Sequence, residues 1–275
     1  MPGEQRSDAL AAAERYKEAG IFAVFTLLGE NLTEFAEGEA VAAEYQRLLA
    51  DVVERKLHGE ISLKLTQLGF DIDAEGAYRL FDQLAVEAAS TGNWVWIDME
   101  GSAYTERTVA FYERALAAHQ NVGLCLQAYL LRTPADVQRL LPKKPAIRLV
   151  KGAYDEPASI ALHKRTEVSA AYLAVASMML EALAAGRMSR AILATHDTEL
   201  VGRIAGFPAA FGLAPARIEV QMLYGIRAAE QRRLVAEGYD ASALIAYGTY
   251  WYPWYMRRLA ERPANVIFAL RQLLP

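Results

Sequence analysis

The residues of this sequence that could carry chemistry fall at the ends of short apolar runs. Lys64 lies in ISLKLTQLG, Asp98 and Glu100 close WVWIDMEG, Gln127 lies late in VGLCLQAYL, and Arg148 and Lys151 lie in AIRLVKG. Thr195, His196 and Asp197 close RAILATHD, and Gln221 lies late in RIEVQMLYG. Lys64, Arg148, Lys151 and His196 together make a cation-rich set that suits phosphate or carboxylate groups, so an anionic cofactor or substrate is expected. Taken alone, His196 reads more simply as a hydrogen-bonded core histidine, and four histidines scattered along the chain suggest no metal site. Near the end, the doublet Arg257-Arg258 follows the aromatic stretch YGTYWYPWY (247–255), and Glu261 stands at ion-pairing distance along a helix from both arginines. A guanidinium fork suits a carboxylate, although adjacent helical arginines converge on one anion only through their long stems. The aromatics read either as packing of a final helix or as an apolar wall for a small ring-shaped substrate.

Eight short runs position these groups: 21–28, 61–69, 94–101, 122–130, 146–152, 190–197, 217–225 and 242–249. Each is followed by a polar stretch with helical periodicity, including a long one from about Pro157 to Ala185. Strict alternation of this kind predicts parallel strands with right-handed crossovers, and eight such units close most simply into a (β/α)8 TIM-type barrel. An open doubly wound sheet is the alternative, but no GxGxxG follows the first run. In a barrel, polar groups at the carboxyl ends of six successive strands share one pocket. A single domain over 1–275 is expected, with a leading helix in 1–20 and C-terminal helices in 250–275.

Composition narrows the function classes. Apolar residues make up 53% of the chain and charged residues 23%, a balance that buries a core and is not that of a disordered chain. A net charge of −4 argues against nucleic acid as a partner. Cys125 is the only cysteine, which rules out an internal disulfide; it reads as a small core residue in a reducing, cytoplasmic protein. The opening MPGEQRSDALAAAERYKEAG lacks the apolar centre of a secretory signal. No stretch approaches the roughly 18 uninterrupted apolar residues of a membrane span, which leaves peripheral contact at the inner face of a membrane open.

Taken together, KLTQLG, IDMEGS, LCLQAYL, RLVKGAYDE, ATHD, EVQMLYG and YWYPWYMRRLAERPANV resemble the proline dehydrogenase family of the monofunctional bacterial type, from about Phe22 onward. RLVKGAY with RRLAERPAN is the specific combination. The resemblance implies a distorted (β/α)8 barrel with noncovalent FAD, which oxidises L-proline to Δ1-pyrroline-5-carboxylate by hydride transfer to flavin N5 and passes electrons to a membrane quinone. By motif, it implies that Arg257 and Arg258 bind the substrate carboxylate, that Lys64 assists them with Asp98 ordering its side, and that Arg148 lies near flavin N5. It further implies that Gln127, Lys151, Gly152, Ala153, Tyr154, Thr195, His196, Gln221 and Glu261 contact FAD. Leu223 and Trp254 would face the substrate, and Glu30 would gate the site by pairing with Arg257.

Three positions depart from the family pattern. Leu244 and Trp254 stand where tyrosines are usual, which bears on discrimination between proline and hydroxyproline, and Asp197 stands where asparagine is usual. Proline remains the expected substrate. The rival readings are a dehydrogenase for hydroxyproline or another cyclic amino acid, a Schiff-base aldolase or lyase using Lys64 or Lys151, and a barrel that only binds FAD or a partner.

Overall fold

The structure is a computed structural model that describes residues 1–29, 32–204, 206–207, 211–252 and 256. Its eight strands are β1 (Phe22–Leu27), β2 (Gly59–Leu63), β3 (Val95–Ile97), β4 (Val122–Gln127), β5 (Ala146–Val150), β6 (Arg190–Ala194), β7 (Glu219–Leu223) and β8 (Asp240–Tyr247). They pair in sequence order, all parallel, and β8 closes on β1 to complete the barrel. The described helices are α1 (Arg6–Lys17), α2 (Phe35–Glu54), α3 (Ala74–Ser90), α4 (Ser102–Ala118), α5 (Thr133–Leu140), α6 (Arg165–Ala184), α7 (Thr198–Ile204) and α8 (Ala228–Ala236).

The alternation of apolar runs and amphipathic segments therefore reads through to an α/β barrel. Boundaries shift where a side chain turns the backbone off the sheet. The second run was expected to stay extended through residue 69, but β2 ends at Leu63 and Leu65–Leu68 form a 3-10 turn. Gln67 explains the turn: its Oε1 accepts the Lys64 N–H at 3.0 Å, and its Nε2 donates to the carbonyls of Leu27 and Gly29 at 2.8 Å each. β3 is only three residues long, so Asp98 and Glu100 stand just past the strand rather than within it. Likewise Lys151, Thr195, His196 and Asp197 follow their strands, and the long segment before Ala185 becomes helical only at Arg165.

Three helices are fastened to the barrel by buried tyrosine hydroxyls. Tyr45 of α2 accepts the Leu27 N–H and donates to Ser62 O, Tyr112 of α4 bridges the N–H and carbonyl of Ala146, and Tyr172 of α6 donates to Leu149 O. Each places an aromatic ring in the helix–sheet layer with its polar tip satisfied. α6 is long and apolar enough by mean composition to cross a membrane, although it is not an uninterrupted apolar stretch. Ser169, Ser177 and Glu181 interrupt its apolar residues, while Tyr172, Val175, Ala176, Met179 and Leu180 are buried in the core.

Inside the barrel, inward residues alternate along each strand with those facing the helices. At the amino end Arg190 donates to Glu60 at 2.7 Å and to Glu219 at 2.5 and 2.8 Å, and the Trp96 indole donates to Glu60 at 2.6 Å. Trp96 packs with Val24, Ala146 and Ile192 as an apolar plug. Gly123 makes room for it, since a Cβ there would collide with the six-membered ring of the indole. The plug separates these amino-end charges from the polar residues nearer the carboxyl end.

Candidate active site

A cavity of about 500 Å³ lies at the carboxyl ends of the strands. Its wall contains Lys64, Asp98, Gln127, Arg148, Lys151, Gly152, Ala153, Tyr154, Thr195, His196, Asp197, Gln221 and Leu223, which are the sequence-derived candidates among the described residues except Glu100. Glu30, Trp254, Arg257, Arg258 and Glu261 lie outside the described residues. Leu244, the strand-eight position that departs from the family pattern, is also on the wall.

Arg148 is the centre of the arrangement, 2% exposed in the middle of β5. Its Nη1 donates to Gln221 Oε1 at 3.2 Å, and its Nη2 donates to Ser62 Oγ at 2.8 Å and makes a short ion pair with Asp98. Ser62 in turn donates to Asp98 Oδ1 at 2.9 Å, and Gln221 donates to Ser242 Oγ at 3.1 Å. Burial alone would lower the arginine pKa, but the charges of Asp98 and Glu60 together with the neighbouring Cys125 outweigh it, so the guanidinium stays protonated. Four strands thus fix one buried cation at the base of the cavity.

Gln127 tests whether the cavity suits a large heterocycle. Its Nε2 donates to the carbonyls of Met99 and Glu100 at 3.1 and 3.2 Å, which fixes the orientation of the amide. Its Oε1 is then buried without a partner among the described residues. A buried acceptor of this kind calls for a donor from a ligand. The imide N–H of a flavin ring has that chemistry, so the residues present fit the cofactor.

Gly152 leaves β5 at φ +128°, a conformation that L side chains rarely adopt, and a Cβ there would run into the ring of Tyr129. Glycine lets the backbone cross closely over that ring at the cavity wall. Lys151 beside it makes an ion pair with Asp197 at 2.8 Å and donates to Ser169 Oγ at 3.3 Å. Burial pushes the Asp197 carboxyl up, but the Lys151 bond and the Leu200 N–H together bring it below its ordinary value. His196 accepts the Leu223 N–H on Nε2 at 2.9 Å, so a neutral ring carries its proton on Nδ1. Glu100 is pushed up by burial, against hydrogen bonds from Thr66 and the charge of Lys64. It is not part of the cavity wall and instead holds the turn after β2 through Thr66.

Sequence reasoning missed several wall residues. Cys125, read as a small core residue, is buried but lies on the wall, where it pairs in register with Arg148. Burial pushes its thiol up, so it is neutral at neutral pH. Its position two residues before Gln127 was the available signal, because alternate residues of a strand share a face. Ser62 stands in the same relation to Lys64; it is not on the wall but holds Arg148 and Asp98 from behind it. Arg165 also reaches the wall, from the first residue of α6.

Fold and cavity define a (β/α)8-barrel protein whose candidate site is built from strand ends around a buried arginine. The family described as proline dehydrogenase matches residues 9–271. Proline dehydrogenase 1 of Bacillus subtilis (strain 168) is 33% identical over 274 residues, covering 100% of this chain and 89% of the relative. Proline dehydrogenase of Deinococcus radiodurans is 30% identical over 279 residues, covering 100% and 88%. Among solved structures, proline utilization A from Bdellovibrio bacteriovorus, inactivated by N-propargylglycine, superposes with a TM-score of 0.85 at 19% identity, covering 94% of this chain and 32% of that one; this likeness concerns the fold. The chain belongs to the proline dehydrogenase family. It is an oxidoreductase of proline oxidation, the first step of proline catabolism.

Proposed function

We propose that the chain, as a single barrel domain, oxidises L-proline to Δ1-pyrroline-5-carboxylate with noncovalently bound FAD in the strand-end cavity, and passes the electrons to a membrane quinone. The observation that carries this reading is the gathering of the described candidate residues, Glu100 excepted, on one cavity wall, with an unpartnered buried acceptor on Gln127 among them. Gln127, Arg148, Lys151, Gly152, Ala153, Tyr154, Thr195, His196 and Gln221 would hold the cofactor. When bound, FAD supplies the acceptor for a hydride from the substrate ring carbon next to nitrogen.

The residues of the chain do the positioning. Arg148 brings a permanently charged, rigid donor to the base of the cavity, where a low local dielectric strengthens its effect on developing negative charge. Asp98 and Ser62 hold the guanidinium in place. Lys64 presents a cation at the β2 end for the substrate carboxylate, with Arg257 and Arg258 as its partners by motif, and Leu223 adds an apolar surface. The role of Glu30 as a gate, of Trp254 as a substrate contact and of Glu261 as a cofactor contact belongs to the same proposal. The Schiff-base alternative is disfavoured at Lys151, whose Nζ is already engaged by Asp197 and Ser169. A cytoplasmic location, with peripheral contact at the membrane that holds the quinone, accords with the single cysteine.

Anaerobic addition of L-proline to the purified, FAD-reconstituted chain tests the reading. Bleaching of the visible flavin band is expected, with higher kcat/KM for proline than for hydroxyproline. A flavin band that proline leaves unchanged would reject the substrate, and failure to bind FAD would reject the cofactor.

A further inference from the structure

The cavity wall carries four cationic side chains, Lys64, Arg148, Lys151 and Arg165, and two carboxylates, Asp98 and Asp197. The two carboxylates differ in what they hold. Asp98 secures a fully buried arginine that Ser62 and Gln221 also fix, so its charge belongs to a closed network. Asp197 holds Lys151, whose side chain is 27% exposed and bonds to Asp197 at 2.8 Å and, at a longer 3.3 Å, to the hydroxyl of Ser169.

Lys151 sits beside the natural place for an anion. The first turn of α6 reaches the same wall through Arg165 and Val168, and its N-cap, Lys164, makes no side-chain cap. Residues of the first turn of a 20-residue helix and two cations, Lys151 and Arg165, therefore line the cavity together, a combination that attracts phosphate. A carboxylate placed there opposes such a ligand twice: it repels the anion and occupies the lysine that would neutralise it. The buried acceptor of Gln127 on the same wall independently points to a ligand.

We propose that Asp197 is an electrostatic latch on Lys151 that limits the affinity of the cavity for a phosphate-bearing cofactor, so that this chain holds its dinucleotide less tightly than its cations would allow. The inference rests on the reading of the cavity as an FAD site. A ligand phosphate displaces Asp197 from Lys151, and the cost of that exchange is part of every binding event. Asp197→Asn removes the charge while keeping an amide oxygen to accept the Leu200 N–H that Asp197 Oδ1 accepts at 3.3 Å.

The test is the dissociation constant of FAD for the apo chain, measured by quenching of tryptophan fluorescence at low and high ionic strength, in the wild type, Asp197→Asn, Lys151→Met and the double variant. Asp197→Asn is expected to bind FAD about tenfold tighter at low salt, with the gain shrinking at high salt, as an effective dielectric near 20 and partial screening imply. Lys151→Met is expected to weaken binding more in the Asp197→Asn background than in the wild type, which a cap or packing role for Asp197 would not produce. FAD binding to Asp197→Asn alone would also support the latch. If the wild type binds FAD and Asp197→Asn binds it equally or more weakly, or with a gain that salt leaves intact, the latch is rejected and the FAD site stands. If neither binds FAD, both fall.

Discussion

The two ends of the barrel interior each contain an arginine bound to carboxylates, yet they are built for different ends. At the amino end Arg190 is shared by Glu60 and Glu219, with its guanidinium carbon 4.5 Å from the ring centre of Trp94 and 5.2 Å from that of Trp96. Neither arginine nor carboxylate lines the strand-end cavity, and the indole of Trp96 takes up a second acceptor of Glu60. At the carboxyl end Arg148 is more deeply buried than Arg190 but borders open volume, and its partners Asp98 and Gln221 lie on the cavity wall. The lesson is that burial and pairing alone do not mark a functional arginine. What distinguishes Arg148 is that its network ends in a space a ligand can enter.

That contrast can be broken by substitution. The largest expected effect on stability is at the amino end: Arg190→Met leaves Glu60 and Glu219 without their counter-charge and should cost about 3–5 kcal/mol in urea unfolding. The folded fraction should still bind FAD and oxidise proline, because Arg190 does not touch the cavity. A loss of turnover per folded molecule would show that the two ends are coupled through the Trp96 plug. At the mouth, Gly152→Ala should act mainly on the cofactor. Its φ of +128° and the nearby Tyr129 ring force a backbone shift, expected to weaken FAD binding by about one to two orders of magnitude, equivalent to about 1–3 kcal/mol of backbone strain. Unchanged FAD affinity in equilibrium titration would show that the wall at β5 can move freely.

A surface pair offers the smallest effect and a pH signature. Hydrogen bonds from Arg132 and Arg139 hold the Glu106 carboxyl at about 2, well below 4.5. A depressed carboxylate contributes its stability above its unfolded pKa and loses it as pH falls toward the folded one, so the Glu106 contribution is present at neutral pH and disappears between about pH 4.5 and 2. Because Glu106 is 59% exposed, solvent screening limits the effect of Glu106→Gln to less than about 1 kcal/mol at pH 7, shrinking toward zero in acid. Thermal melts at the two pH values would measure it, and an equal loss at both would contradict the ion-pair account.

How much of this was legible beforehand follows from the same contrast. Strand ends that carry a polar residue after an apolar run, such as Lys64, Gln127, Lys151 and Thr195, could be read because the chemistry interrupts a period-2 pattern. Ser62, Cys125 and Ser242 were harder to read, since small residues among apolar neighbours look like core; for Ser62 and Cys125 the signal was only their spacing of two from Lys64 and Gln127. Arg165 was hidden within a segment read as one long helix, whereas the helix starts at that residue. The pairing of Arg148 with Asp98, 50 positions apart, depends on barrel closure and not on local spacing. Glu60 and Glu219 lie at strand starts, where polarity reads as stability, and their shared hold on Arg190 emerges only when β2, β6 and β7 face one another across the barrel interior.

The most direct test of the central claim is the rate of flavin reduction by L-proline under anaerobic conditions in Arg148→Met, with urea stability read on the same preparation. The account predicts a rate at least about a hundredfold below wild type, with a stability loss of about 1–3 kcal/mol that leaves the chain folded. A folded Arg148→Met chain that reduces its flavin at the wild-type rate would contradict it and move the functional centre away from the buried arginine.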